Sequence, residues 1–283
     1  MKDEAIANLA QSLRGRVIGR GHPEYDEARK LYNAMIDKRP LLIARCADAA
    51  DVITAVKFGR EHKLMIAIRG GGHNGPGLGS VDDGLVIDLS EMKGVRVDPA
   101  ANTVRVGGGC TTGEVDHATH AFGLAVPFGV VSTTGVAGLT LSGGHGYLSR
   151  QYGLAVDSLI EADVVLADGR FVTASESVNP DLFWGLRGGG GNFGVVSSFL
   201  FKAHPASMVY GGPIIWELKD APTVMRWYRD HLAGKPEEAL GSLAPLATWA
   251  SIAASGKVLT KSPFQYHCKP FGRSASNRLW RAG

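Results

Sequence analysis

Short apolar runs separated by glycine-rich breaks set the pattern of this chain. Leu41–Arg45 (LLIAR) is an apolar run of strand length. Residues 47–62 (ADAADVITAVKFGREH) have helical character, and residues 64–69 (LMIAIR) are apolar again. Residues 85–89 (LVIDL) form a fourth run. Val95–Asp98 and Thr103–Gly107, separated by PAAN, predict a hairpin. Residues 112–122 have helical character and stop before Gly123. Ser158–Ala174 predicts a second hairpin turning at Asp168-Gly169. Asn179–Gly188 predicts a short helix capped by Asn179, with Pro180 at its first position. Residues 195–204 return to strand. Residues 209–218 then predict a strand and 221–232 a helix. The mixture is α+β with hairpins, not a strict βαβ series.

The chain of 283 residues is long enough to bury a sizeable core. Glycine, 38 residues or about 13 %, stands well above the usual ~7 %. No repeat accounts for it, because the glycines fall into four clusters. These are Arg69–Gly79 (RGGGHNGPGLG), Val106–Cys110, Thr134–Tyr147 (TGVAGLTLSGGHGY) and Arg187–Gly194 (RGGGGNFG). Gly70, Gly72 and Gly75 match G-x-G-x-x-G, as do Gly189, Gly191 and Gly194. A dinucleotide fold needs a helix directly after those glycines. Here Pro76, Gly77 and Gly79 follow the first match and VVSSFLF the second, so a nicotinamide Rossmann domain is rejected. Successive glycines still let consecutive N–H groups face one concavity and bind an anion such as a diphosphate.

Charge changes the picture only near the end. Residues 1–240 carry 24 basic and 27 acidic side chains, whereas residues 241–283 carry six basic and none acidic. These charges are scattered and form no stripe, so no nucleic-acid partner is expected. Cys46, Cys110 and Cys268 show neither metal nor disulfide spacing. The N-terminus reads as neither signal nor anchor, and no run is long enough to span a bilayer. The expectation is a cytoplasmic setting with reduced thiols and no membrane partner. Glu114, Asp116, His117 and His120 could suggest a metal group, but three-residue spacing is common on solvated helix faces, and none is assigned.

PEYDEARKLYNAMIDKRP (23–40), RGGGHN (69–74), the element from Gly135 to Gly144 and RGGGGNFG (187–194) occur in that order. Together they resemble the FAD-linked oxidases of the berberine bridge enzyme type, within the p-cresol methylhydroxylase / vanillyl-alcohol oxidase superfamily. The resemblance implies a two-lobed α+β FAD-binding domain of the p-cresol methylhydroxylase type over residues 1–204. A partial α+β substrate domain would begin at 205–240, with an atypical basic tail at 241–283. It implies that Arg69, Gly70, Gly71 and Gly72 lie at the FAD pyrophosphate, that His73 bonds covalently to the flavin, and that Asn74 also binds the cofactor. Val131 stands where some relatives place a second bonding cysteine, so attachment through His73 alone is expected. Ser132, Gly135, Gly138 and Gly143 would line the flavin. Val196 would touch the adenine or ribityl region by its backbone. Thr134 stands where relatives place a residue that controls oxygen access, which leaves oxidase or dehydrogenase behaviour open, and His145 would act in proton transfer or else pack the flavin as a buried, hydrogen-bonded histidine. Tyr147 and Tyr152 read as core aromatics.

The implied reaction is hydride transfer from an alcohol, sugar or amine carbon to FAD. A small-molecule substrate and O2 or another electron acceptor would be its partners. The family's second domain would need more chain than is present. A truncated or frame-shifted reading of a longer protein, and hence a catalytically incomplete FAD-binding remnant, is the alternative expectation.

Overall fold

The computed structural model describes residues 3–206, 216–232 and 235. The first lobe runs α1 (Asp3–Ser12), β1 (Arg16–Gly19), α2 (Tyr25–Ala28), β2 (Leu42–Arg45), α3 (Ala49–Glu61), β3 (Ile66–Arg69) and β4 (Leu85–Asp88). Its sheet has the order β1-β2-β4-β3, with β2, β4 and β3 parallel and β1 antiparallel. β4 is buried at all four positions, as expected of a central parallel strand: Leu85, Val86 and Ile87 are apolar, and Asp88 is buried in an ion pair with Arg69. Asp48 starts α3 by accepting from the N–H groups of Ala50 and Asp51. The parallel register sets Arg45, Asp88 and Arg69 side by side at the carboxyl ends of β2, β4 and β3.

The second lobe runs β5 (Val95–Asp98), β6 (Thr103–Gly107), α4 (Thr112–His120), β7 (Leu124–Ala125), α5 (Val136–Leu141), α6 (Ser149–Tyr152), β8 (Leu159–Val165), β9 (Phe171–Ser175), α7 (Pro180–Leu186), β10 (Val195–Lys202) and β11 (His204–Pro205). Its antiparallel sheet has the order β5-β6-β10-β8-β9, while β7 and β11 pair separately. Both expected hairpins are present. Thr111 and Glu114 form a capping box on α4. The core of this lobe centres on Phe199 and Phe201, both fully buried, with Phe128 edge-on to Phe201 at 5.2 Å. Each such ring contributes about 1.5–3 kcal/mol by leaving water. Val165 and Val195 pack instead with Leu42, Leu85 and Ile87, so the two sheets share an apolar seam.

Asn179 does precede α7, but its side chain makes no cap. It adopts a left-handed conformation, and its amide donates to the Thr173 carbonyl. Tyr147 is 57 % exposed, not a core residue: it lies beyond α5 in the turn that leads to α6, where no apolar layer covers it. Tyr152 is half-buried and stacks on His204.

A separate unit begins at Met208. Its described part holds a short 3-10 helix at Leu218–Asp220 and α8 (Ala221–Leu232), where the helix was expected. Most of the strand expected at 209–218 lies outside the described residues, and its described end, 216–218, is not strand. The tail at 241–283 also lies outside them.

Candidate functional site

The chain leaves β3 at Arg69 and runs through Gly70–Gly72 to His73. The N–H groups of Gly70, Gly71, Gly72, His73 and Asn74 donate to no group among the described residues. The first four, Gly70 to His73, lie on the half-buried part of the loop, where unpaired donors are unusual because buried amides are nearly always paired. Gly72 takes a left-handed φ of +69°, which turns the loop sharply. A Cβ on Gly71 would lie 2.3 Å from the Gly135 nitrogen and 2.6 Å from its Cα. The two glycine loops therefore meet backbone against backbone, with no room for a side chain between them.

That contact delivers His73 to the segment before α5. Its Nε2 lies 3.0 Å from the Thr133 hydroxyl, and its Nδ1 lies 3.5 Å from the Thr134 hydroxyl. One ring face is covered by Tyr32, with centroids 3.8 Å apart and an interplanar angle of 18°. Burial lowers the His73 pKa below its ordinary value, because it disfavours the charged ring. The imidazole is thus neutral near pH 7 and keeps a lone pair for nucleophilic chemistry.

Beneath the loop, Arg69 and Asp88 form a buried ion pair at 2.8 Å, with Arg45 3.2 Å from the same carboxylate oxygen. Burial alone would raise the Asp88 carboxyl, but the Arg69 charge and hydrogen bond hold it below the usual range. The Arg69 Nη1 is buried and has no partner. A cavity of about 420 Å3 opens here, lined by Gly70–Gly72, by Lys30, Arg45 and Arg69, and by the carboxylates of Glu24, Glu27 and Asp88. An orphaned guanidinium nitrogen beside free amide donors is a surplus of donors. An oxygen-rich anion such as a diphosphate complements that surplus.

The residues singled out in the sequence fall into two groups. Gly71, His73, Gly135 and Thr134 converge directly. Ser132 lies exposed nearby, its carbonyl accepting from Gly113. Gly138 is exposed on α5, with open space where a Cβ would stand. Gly143 is buried just beyond that helix, next to Leu154. Val196 is buried in β10, its carbonyl facing Gly108. His145 is exposed, with its own carbonyl near Gly129 and no side-chain hydrogen bond among the described residues. Tyr32 and Thr133 were not foreseen. Tyr32 sits in the 23–40 segment that the motif pattern already contained, but nothing local marks it as a partner of His73.

Residues 40–175 match the family model described as an FAD binding domain. The FAD-linked oxidoreductase YgaK of Bacillus subtilis is 39 % identical over 223 residues, covering 77 % of this chain and 49 % of that protein. The chain carries an FAD-binding domain of the kind found in FAD-linked oxidoreductases. The chain is also 36 % identical over 238 residues to the (R)-6-hydroxynicotine oxidase of Paenarthrobacter nicotinovorans, covering 83 % of this chain and 50 % of that enzyme. The crystal structure of 6-hydroxy-D-nicotine oxidase from Arthrobacter nicotinovorans superposes with a TM-score of 0.76 at 34 % identity, covering 78 % and 49 % of the two chains. The xylooligosaccharide oxidase from Myceliophthora thermophila gives 0.67 at 37 % identity, covering 72 % and 43 %. The chain spans about half the length of the curated relatives it matches. Among the described residues, no helix is long and apolar enough to cross a membrane.

Proposed function

We propose that residues 1–204 bind FAD with its pyrophosphate on the Gly70–Asn74 amides and tether it covalently through His73, in an enzyme that oxidises an alcohol, sugar or amine carbon of a small molecule. The observation that carries this reading is the run of five free N–H groups, Gly70 to Asn74, that includes His73 with its neutral imidazole. Bound FAD would supply the two-electron chemistry, accepting a hydride and passing electrons to O2 or another acceptor. The protein's own part is to hold the diphosphate by backbone dipoles, keep His73 neutral, and fix its ring against Thr133 and Thr134. Gly71 and Gly135 keep the two loops at contact distance, so the ring cannot drift away from that segment. Related enzymes act on a hydroxynicotine and on xylooligosaccharides. Those names bracket the substrate class as a small organic amine or carbohydrate.

The visible spectrum of the purified chain, followed by acid precipitation, tests the binding and the tether together. A yellow protein whose colour stays with the pellet is the expected result, and His73→Ala should move the colour to the supernatant. A colourless protein refutes FAD binding; a yellow protein with a white pellet refutes the tether alone. Stopped-flow reduction by candidate amines and sugars then reads the activity separately.

A further inference from the structure

Segment 31–38 straps the outside of the glycine loop. The Tyr32 N–H donates to the Gly72 carbonyl at 3.2 Å, and the Asn33 amide donates to the Gly75 carbonyl at 2.9 Å. The Lys38 ammonium donates to the carbonyls of Gly77 and Ser80 at 2.9 and 3.0 Å. The Ile36 side chain fills the space where a Cβ of Gly77 would stand. These contacts account for the strap's hold on the loop without the Tyr32 ring. That ring is 65 % exposed, so burial does not explain its placement either. Its described ring contact is the flat stack on His73. An aromatic face against an imidazole restricts rotation about the His73 side-chain bonds, while Thr133 and Thr134 engage the two ring nitrogens at the edge. Face and edge together define one ring plane.

We propose that Tyr32 is a positioning residue for the flavin bond, stacking on His73 so that the imidazole is held in the plane from which its nitrogen attacks. This inference rests on the covalent reading above. The bond exchanges an imidazole N–H and a C–H of the flavin 8-methyl group for an N–C bond. The two hydrogens, with two electrons, end on the flavin ring system, which dioxygen or another acceptor then reoxidises. A ring free to rotate seldom meets that geometry, and misplacement by about 1 Å can cost ~100-fold in rate.

The test compares the whole chain with Tyr32→Phe and Tyr32→Ala. Each is prepared free of flavin and mixed with FAD. Total binding is read as colour retained on gel filtration, and covalent binding as colour in the acid pellet over time. Tyr32→Phe should tether at the parent rate, because it keeps the face. Tyr32→Ala should bind FAD but tether it at least about tenfold more slowly. In the flavin-free proteins, NMR titration of His73 should show its pKa rising in Tyr32→Ala toward the ordinary value, and unchanged in Tyr32→Phe, since the stack helps keep water from the ring. Parent-like tethering by Tyr32→Ala overturns the role, as does a Tyr32→Phe variant as slow as Tyr32→Ala. Loss of all FAD binding in Tyr32→Ala overturns it too, by showing that Tyr32 merely supports the loop. A parent with no colour in the pellet would fail the covalent reading itself and is seen separately in the same experiment.

Discussion

Gly71→Ala places a methyl group at the point where the two glycine loops touch. The added carbon would lie 2.3 Å from the Gly135 nitrogen and 2.6 Å from its Cα, against ordinary contacts of 3.4–4 Å. The segments must separate by about 1 Å, and both partners are backbone, so no side chain can turn aside. Overpacking of this kind costs roughly 1–3 kcal/mol. At about 2–4 °C per kcal/mol for a domain of this size, the melting temperature should fall by about 2–12 °C. The same separation would stretch the 3.0 Å contact between His73 and Thr133 toward about 4 Å, beyond hydrogen-bonding range. Gly75→Ala is the matched control, since nothing lies within 4 Å of its Cβ position and its φ is not left-handed. It should stay within about 0.5 kcal/mol of the parent. Thermal unfolding followed by circular dichroism gives the stability, and colour in the acid pellet reports the loop. If Gly71→Ala melts within about 1 °C of Gly75→Ala and retains the parent's pellet colour, the steric reasoning is wrong.

Asp88→Ala should cost about 3–5 kcal/mol in urea denaturation, because it strands the buried Arg69 charge; a loss under about 1 kcal/mol would contradict the pairing. The Asp88 carboxyl is held below its unfolded value, so its contribution is complete above about pH 4 and disappears as pH falls through the lower folded value. Denaturation midpoints measured from pH 6 down to about 3 should therefore fall less steeply in Asp88→Asn than in the parent. Burial pushes the Cys46 thiol far up and the Cys110 thiol to about 11. Both should resist iodoacetamide at about pH 8 until the protein is unfolded, as peptide mass spectrometry would show. Labelling of either in the folded protein at a free thiol's rate would refute that burial.

The strands were legible where burial is uniform. LVIDL at 85–89 contains no polar residue other than Asp88, and it lies at the centre of a parallel sheet. Hairpins were legible where glycine or asparagine turns separate β-rich runs, as at Asp168-Gly169. The helices α1 and α5 were not. The α5 segment (VAGLTL) holds a glycine and two β-branched residues, poor helix formers, and its helix stands on packing against the second lobe's core. At the site, the glycine loop and His73 were visible because one short motif carries them. The partners of His73 were hidden by distance, since Thr133 lies 60 residues downstream and is joined only by tertiary contact. Tyr147 was misjudged because aromaticity alone says nothing about whether a layer covers the ring.

The surroundings of His73 are assembled from three remote stretches: the strap at 31–38, its own loop, and residues 133–135. During synthesis the histidine emerges long before the last of these exists. The bond proposed for its ring would therefore wait until the second lobe has closed on the first, and a tethered His73 would be a chemical record that the chain reached its native arrangement.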